Sequence, residues 1–326
     1  MRIEHTFATT LPAPTGSFLV GRTSVPSEHR VIWIWYPSTG GPPADYLPPP
    51  VRQQVERSRV TLVNKFFTRD LSKVRAHCAK DPDVSPQQRS YPVVLMTAGL
   101  GFSTLAEDLA SHGYVVAGFD IERAPQNNPE NFSGEEKQRV AQGLQDAAIT
   151  EMQIVLMQLA ELNASGKFAG RLDLTRVGAI GHSLGGATVA QFCAGDLRCG
   201  AGIDIDGALR RRVVETGIQR PFMFLMSDHR NDNDPESLRI KADIQSVYDR
   251  LPRDGRLRVA IRGAKHFGFS DDAVLKSRIL LALFGIHGRR QLEVTAYCAH
   301  SFFDAYLKGE ALQIRSPRYP EIEVLE

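Results

Sequence analysis

The residues best suited to chemistry in this chain are Gly181-His182-Ser183-Leu184-Gly185, a G-x-S-x-G pentapeptide. The apolar run Arg176–Ile180 precedes it and a helical pattern over Leu184–Ala194 follows it. A serine at such a strand-to-helix turn stands on a bend too sharp for bulky neighbours, and the flanking glycines let adjacent backbone close in. At Gly and Ser usage near ~7% the bare pentapeptide arises by chance in roughly one chain in ten of this length. The strand before it and the helix after it therefore give the motif its weight. Read structurally, the residues are a tight turn whose serine caps a helix. Read chemically, Ser183 is a nucleophile.

A serine hydroxyl is a weak nucleophile and needs an imidazole base oriented by a carboxylate. When the nucleophile sits on this kind of turn, the acid and then the base follow it along the chain. Downstream histidines are His229, His266, His287 and His300. His266 lies in Arg262-Gly-Ala-Lys-His-Phe-Gly-Phe269, directly after the last strand pattern, and is the favoured base. His229 also follows a strand and comes second, while His287 and His300 fall in or between terminal helices. Asp206 ends the strand pattern CGAGIDI and Asp228 closes PFMFLMS, so the residues alone leave both open as the acid. Asp204 points to the face opposite its neighbours in the strand, Ile203 and Ile205, and is not at the strand's edge. The run Asp228–Asp234 fails as a calcium loop, having Arg230 at its third position and no glycine at its sixth. Asp234-Pro235 reads instead as a helix N-cap with proline at the first helical position.

Acyl transfer also needs backbone N–H donors for the oxyanion. Leu184, after the serine, supplies one, and Leu100 in the loop Ala98-Gly99-Leu100-Gly101 is best placed for the other. Phe102 and Phe267 are expected to line an acyl pocket, with Phe269 close by. The loop from Arg123 to Gly134 is a candidate rim or lid.

The elements that must position these groups form a regular series. Strand patterns at Pro92–Met96, Tyr114–Phe119, Arg176–Ile180, Cys199–Ile205, Pro221–Met226 and Leu257–Ile261 alternate with helical ones at Ser103–His112, Glu135–Leu162, Leu184–Ala194 and Asp234–Arg250. Two helices close the chain, near Asp271–Phe284 and Gln291–Leu307. Such alternation requires right-handed crossovers and a mostly parallel sheet, here of about eight strands, with helices on both faces. In such sheets ligands sit at the carboxyl ends of the strands. Upstream, Val31, Trp33 and Trp35 alternate with Ile32, Ile34 and Tyr36, a strand buried on both faces. Gly40–Pro50, with five prolines and two glycines, reads as an extended surface connection. Val51–Lys80 carries eight basic and two acidic residues and reads as a solvated helical insertion that also covers part of the core.

With 326 residues, 42% of them apolar, the chain has material for a large core. Its formal charge of +2 makes no field that would draw nucleic acid. No apolar run approaches the roughly 20 residues of a membrane span. The four cysteines are too few for a disulfide scaffold and lack metal-ligand spacing. The first residues, MRIEHTFATTLPAP, have no apolar signal core, so the expected location is cytoplasmic, or secreted if a leader was trimmed. The expected organisation is one domain over 1–326: N-terminal strands and the basic insertion (1–90), a catalytic core (91–286), and a C-terminal helix and tail (287–326).

Tyr91-Pro-Val-Val-Leu-Met-Thr-Ala-Gly-Leu-Gly101, Leu109-Ala-Ser-His-Gly-Tyr114, Gly181-His-Ser-Leu-Gly-Gly-Ala-Thr188, Asp206 and the early Trp35-Tyr36-Pro37-Ser38 together resemble the plasma (type II) platelet-activating factor acetylhydrolase family. That family belongs to the α/β-hydrolases, near the dienelactone-hydrolase-like esterases. The resemblance implies an α/β-hydrolase fold and serine ester hydrolysis through an acyl-enzyme, with Asp206 as the acid, His266 as the base and Leu100 and Leu184 as oxyanion donors. It implies a small ester or lipid-like substrate, with no metal or organic cofactor. Two positions depart from the family pattern: Ala98 stands where a histidine is usual, and Gly207-Ala208 replace apolar, aromatic residues after the acid. Other readings of the same residues are a polyesterase, a thioesterase, or a silent scaffold that binds without turnover.

Overall fold

The computed structural model describes residues 9–27, 30–58, 70–121, 134–210, 212–275 and 288–325. Twelve strands join one sheet: β1 (Thr9–Thr10), β2 (Leu19–Pro26), β3 (Val31–Ser38), β4 (Pro43–Asp45), β5 (Val74–Lys80), β6 (Tyr91–Met96), β7 (Val115–Gly118), β8 (Leu172–His182), β9 (Cys199–Ile205), β10 (Phe222–Met226), β11 (Arg256–Ile261) and β12 (Ile322–Val324). Their order across the sheet is β1-β5-β2-β3-β7-β6-β8-β9-β10-β11-β12, with β4 beside β5. The strands from β7 to β11 run parallel, and β3 and β12 flank them antiparallel.

Helices α1 (Pro49–Ser58), α2 (Ser103–Ser111), α3 (Gly134–Ala164), α4 (Leu184–Gly195), α5 (Arg212–Thr216), α6 (Pro235–Arg250), α7 (Asp272–Leu275) and α8 (Gly288–Lys308) complete the described elements. The two-residue side-chain period sorts each central strand between two cores. Val94 and Met96 of β6, Ile203 and Ile205 of β9, and Met223 and Leu225 of β10 pack with α2 and α8. Val93 and Leu95, Cys199, and Phe222 and Phe224 from the same strands pack with α3, α4 and α6 on the other face. Parallel strands covered on both faces are therefore apolar throughout, as Tyr91–Met96 is at every position. The Asp234 cap forms as its sequence suggests, its carboxylate accepting from the Glu236 and Ser237 N–H groups.

The sheet has more strands than the eight that the repeating patterns suggest. Val74–Lys80, expected in a helical insertion, is strand β5; its buried Val74 and Cys78 and half-buried Ala76 keep a period of two beneath the basic residues. Gly40–Pro50 is more than a surface connection, since it contains β4, buries Tyr46 and Leu47, and starts α1 at Pro49. Of the helix expected over Asp271–Phe284, α7 is the described part. Positions 59–69 of the basic insertion, the loop positions 123–133 and His287 lie outside the described residues.

The cysteines need a correction too. Cys193, near the end of α4, and Cys199, the first residue of β9, form a disulfide across 5.1 Å between Cα atoms. Their six-residue separation carries no recognisable motif; the helix-to-strand reversal brings the sulfurs together. Cys78 and Cys298 are free and buried.

Candidate active site

Strand β8 ends at His182 and α4 begins at Leu184, so Ser183 alone makes the turn, at φ 57° and ψ −122°. A non-glycine residue there is strained, by about 1–3 kcal/mol, and persists only when its surroundings hold it. Here the Ser183 N–H donates to the Ile205 carbonyl at 2.8 Å, and the Ser183 carbonyl accepts from the Ala187 N–H at 3.1 Å. The glycines answer a spatial demand. A Cβ at Gly181 would lie 2.1 Å from Thr97 Oγ1, and one at Gly186 would lie 1.9 Å from Asp204 Oδ1.

Asp206 directly follows β9 and is also left-handed, at φ 54°, with its N–H donating to the Leu225 carbonyl at 2.9 Å. His266 opens a short turn after β11. Its Nε2 lies 3.1 Å from Ser183 Oγ and its Nδ1 lies 2.8 Å from Asp206 Oδ2. Ser183, His266 and Asp206 are thus one hydrogen-bonded chain at the carboxyl ends of β8, β9 and β11, where parallel sheets gather ligand-facing loops. The other acid weighed from the sequence, Asp228, is engaged elsewhere: it accepts from the Gly263 N–H at 2.8 Å and pairs with Arg230 at 2.6 Å.

Several participants were not legible as such. Each oxygen of the Asp206 carboxylate has two partners. Oδ1 accepts from the Ser227 N–H at 2.8 Å and meets His229 Nε2 at 2.7 Å. Oδ2 accepts from Ser227 Oγ at 2.8 Å as well as meeting His266. Burial would raise this carboxyl, but the hydrogen bonds from His229 and His266, the His229 charge and the Ser227 N–H together hold it well below the usual range. His182, the residue before the serine, donates from Nε2 to the His266 carbonyl at 2.9 Å. Burial pushes its imidazole down to about 4, so it works as a neutral clamp on the His266 turn.

The loop expected to supply an oxyanion donor is held at both ends. The Gly99 N–H donates to Asp120 Oδ1 at 2.9 Å. At the other end Asp271 Oδ2 accepts from the Ser103 N–H, and the Asp271 N–H donates to the Gly101 carbonyl, each at 2.9 Å. Leu100 sits between them in a tight turn, and Leu184 opens α4, where the first N–H groups of a helix have no partner within it. Phe102 is half-buried against the His182 ring, whereas Phe267 is 64% exposed with its ring edge-on to His266. Phe269 belongs to the core. A cavity of about 190 Å³ adjoins Ser183 and His266, walled by Ala208, Phe224, Met226 and Ile240.

Among the described residues, Asp108, His112 and His300 form the cluster whose donor atoms approach closely enough to suggest a metal. The two rings, however, stack at 3.7 Å with an interplanar angle of 17°. Nitrogen lone pairs lie in the ring planes, so near-parallel rings do not converge on one ion. The groups instead satisfy one another, His300 Nδ1 meeting Asp108 at 2.8 Å.

Known proteins resemble the chain over most of its length. Residues 5–124 and 122–313 match the family described as platelet-activating factor acetylhydrolase, isoform II. The chain belongs to that family. Its relatives include a platelet-activating factor acetylhydrolase of Cavia porcellus, 26% identical over 88% of this chain and 74% of that protein. Another is a probable 1-alkyl-2-acetylglycerophosphocholine esterase of Arthroderma benhamiae, 26% identical over 72% of this chain and 66% of the other. Among solved structures, a ferulic acid esterase from Streptomyces cinnamoneus superposes with a TM-score of 0.71 at 21% identity, covering 98% of this chain and all of that one. At that identity the likeness is one of fold, and the fold is the α/β-hydrolase fold. As a member of the acetylhydrolase family, the chain is a carboxylic ester hydrolase. Among the described residues no helix is long and apolar enough to cross a membrane.

Proposed function

We propose that the chain is a one-domain serine esterase that cleaves short acyl esters through an acyl-enzyme. The observation that carries this reading is the His266 ring, whose two nitrogens lie 3.1 Å from Ser183 Oγ and 2.8 Å from Asp206 Oδ2. Asp206 accepts a hydrogen bond from His266 Nδ1–H, which leaves Nε2 free to take the serine proton. Ser183 Oγ attacks the ester carbonyl as His266 accepts its proton, and the oxyanion is met by the N–H groups of Leu100 and Leu184. Collapse of the tetrahedral species expels the alcohol, which leaves with the proton from His266. Water then repeats the sequence on the acyl-serine and releases the acid. No step calls on a metal or an organic cofactor.

Phe102 and Phe267, expected to line an acyl pocket, do not border the cavity beside Ser183, whose apolar wall is Ala208, Phe224, Met226 and Ile240. The cavity beside Ser183, about 190 Å³, is smaller than the ~300 Å³ at which sites for drug-sized ligands begin. Its size supports a short acyl group, as does the acetyl named in the relatives. Disulfides persist in oxidising compartments and are rare in the cytosol. The Cys193–Cys199 bond therefore supports an oxidising compartment over the cytoplasm.

Ser183→Ala tests the reading. The variant should fold with an unchanged melting temperature, lose p-nitrophenyl acetate turnover by at least about 10⁴-fold, and fail to label with a fluorophosphonate. Near-normal turnover would remove Ser183 from its role. An ester panel of graded acyl length should peak at two to four carbons; a maximum at long chains would refute the short-acyl assignment.

A further inference from the structure

Two histidines share the Asp206 carboxylate, and their surroundings differ. His266 has the carboxylate on Nδ1 and the Ser183 hydroxyl on Nε2, so one nitrogen meets an acceptor and the other a group able to donate. His229 has a carboxylate on each side: Asp206 Oδ1 at 2.7 Å from Nε2 and Asp232 Oδ2 at 2.7 Å from Nδ1. A ring whose two nitrogens both face carboxylates carries both protons and is a cation. Ser227 Oγ, 2.9 Å from His229 Nε2, is itself turned towards Asp206 Oδ2, which it reaches at 2.8 Å.

We propose that His229 is a positioning residue of the ester hydrolysis: it holds the Asp206 oxygen that His266 does not use, fixes the rotation of that carboxylate, and sets the pH at which His266 works as a base. The inference rests on the Ser183–His266–Asp206 reading. Asp206 stands in a left-handed conformation, and its carboxylate is held by Ser227 and His229 on the oxygen away from His266 as well as by His266 itself. The His229 charge also opposes a second positive charge on the far side of the same carboxylate, which favours the neutral, proton-accepting form of His266. The hydrogen bond to Asp206, and then the charges of Asp206 and Asp232, push the His229 imidazole up to about 9 against its partial burial.

The other charged groups near it are accounted for. On its own loop the neighbouring Asp228 pairs with Arg230. From α6, Lys241 Nζ donates to the Asp232 carbonyl at 2.6 Å, holding the end of the loop. Asp204 of β9, fully buried nearby, lines the same cavity as His229.

The test is the pH profile of kcat/KM for p-nitrophenyl acetate between pH 5 and 9, in wild type, His229→Gln, His229→Ala and Asp232→Asn. Loss of the cation in His229→Gln should move the acid limb upward by about one pH unit, while the plateau stays within about tenfold because glutamine still donates to Asp206. His229→Ala should show the same limb shift and a plateau about tenfold lower again. Asp232→Asn, at a half-exposed position, removes an anion while Asp206 still holds the His229 proton, and should move the limb downward by less. A residue that only ties the loop would lower every rate and leave the limb in place; unmoved limbs in all three variants would overturn the proposal. If both His229 variants unfold, the Asp232→Asn profile decides alone. Ser183→Ala, assayed in parallel, separates the failures: activity there defeats the serine reading itself, whereas an inactive Ser183→Ala beside unmoved limbs defeats only the role of His229.

Discussion

Asp204 and Asp206 lie two residues apart at the end of the same strand, both with buried side chains, and they take opposite protonation states. Asp206 is met by two imidazoles, a hydroxyl and a backbone N–H, which keep it ionised despite its burial. Asp204 receives the Gly207 N–H on Oδ1, and its Oδ2 has no partner among the described residues. Burial, helped by the nearby Asp206 charge, pushes Asp204 up to about 8, so it is neutral at pH 7. The number and charge of donors, more than depth, decides whether a buried carboxyl can act as an anion.

Substitution by asparagine should separate the pair most sharply in catalysis. Asp206→Asn keeps the shape but offers His266 the wrong partner for its tautomer, and should lower kcat by about 10⁴-fold with a near-wild-type fold. Asp204→Asn, which imitates the protonated acid, should keep activity within a few-fold. Comparable losses from both would erase the distinction between them.

Stability should separate them in the opposite sense. A carboxyl raised from 3.8 to about 8 keeps its proton in the folded state over a range where the unfolded chain has lost it. Its stabilising contribution is complete below pH 4 and is lost as pH rises towards 8, at up to about 1.4 kcal/mol per pH unit. Asp204→Asn should abolish that slope. Asp271, pushed by burial to about 7, has the same sign but finishes earlier. Glu107, also raised by burial, adds a slope of the same sign, so the Asp204 contribution is the difference between wild-type and variant denaturant titrations between pH 7 and 8; parallel curves there would mean that it is ionised.

The smallest effect concerns the staple at the other end of the same strand. Replacing Cys193 and Cys199 together with alanine removes a short loop closure, worth about 2 kcal/mol, and should lower the melting temperature by a few degrees. Because both acids sit at the opposite end of β9, kcat should change less than about threefold. A larger loss would mean that the disulfide also positions Asp206.

Much of this was local and therefore readable from the residues. The short apolar runs Tyr91–Met96 and Cys199–Ile205, the Asp234-Pro235 cap and the glycines around Ser183 act within a few positions of themselves, so the sequence specifies the parallel core and the nucleophile turn. The residue pattern also put Asp206, Asp228 and His266 at strand ends, but could not say which acid meets the base. Only the tertiary structure decided that, because strand order and register bring the end of β9 beneath the turn after β11 while Asp228 is taken up by Gly263 and Arg230. The same holds for His229 on the second oxygen of Asp206, for the Cys193–Cys199 bond, and for β5, whose partners are β1, β2 and β4. These features depend on which distant segments meet, and hydrogen bonds and burial between such segments leave no period or spacing in the chain to read.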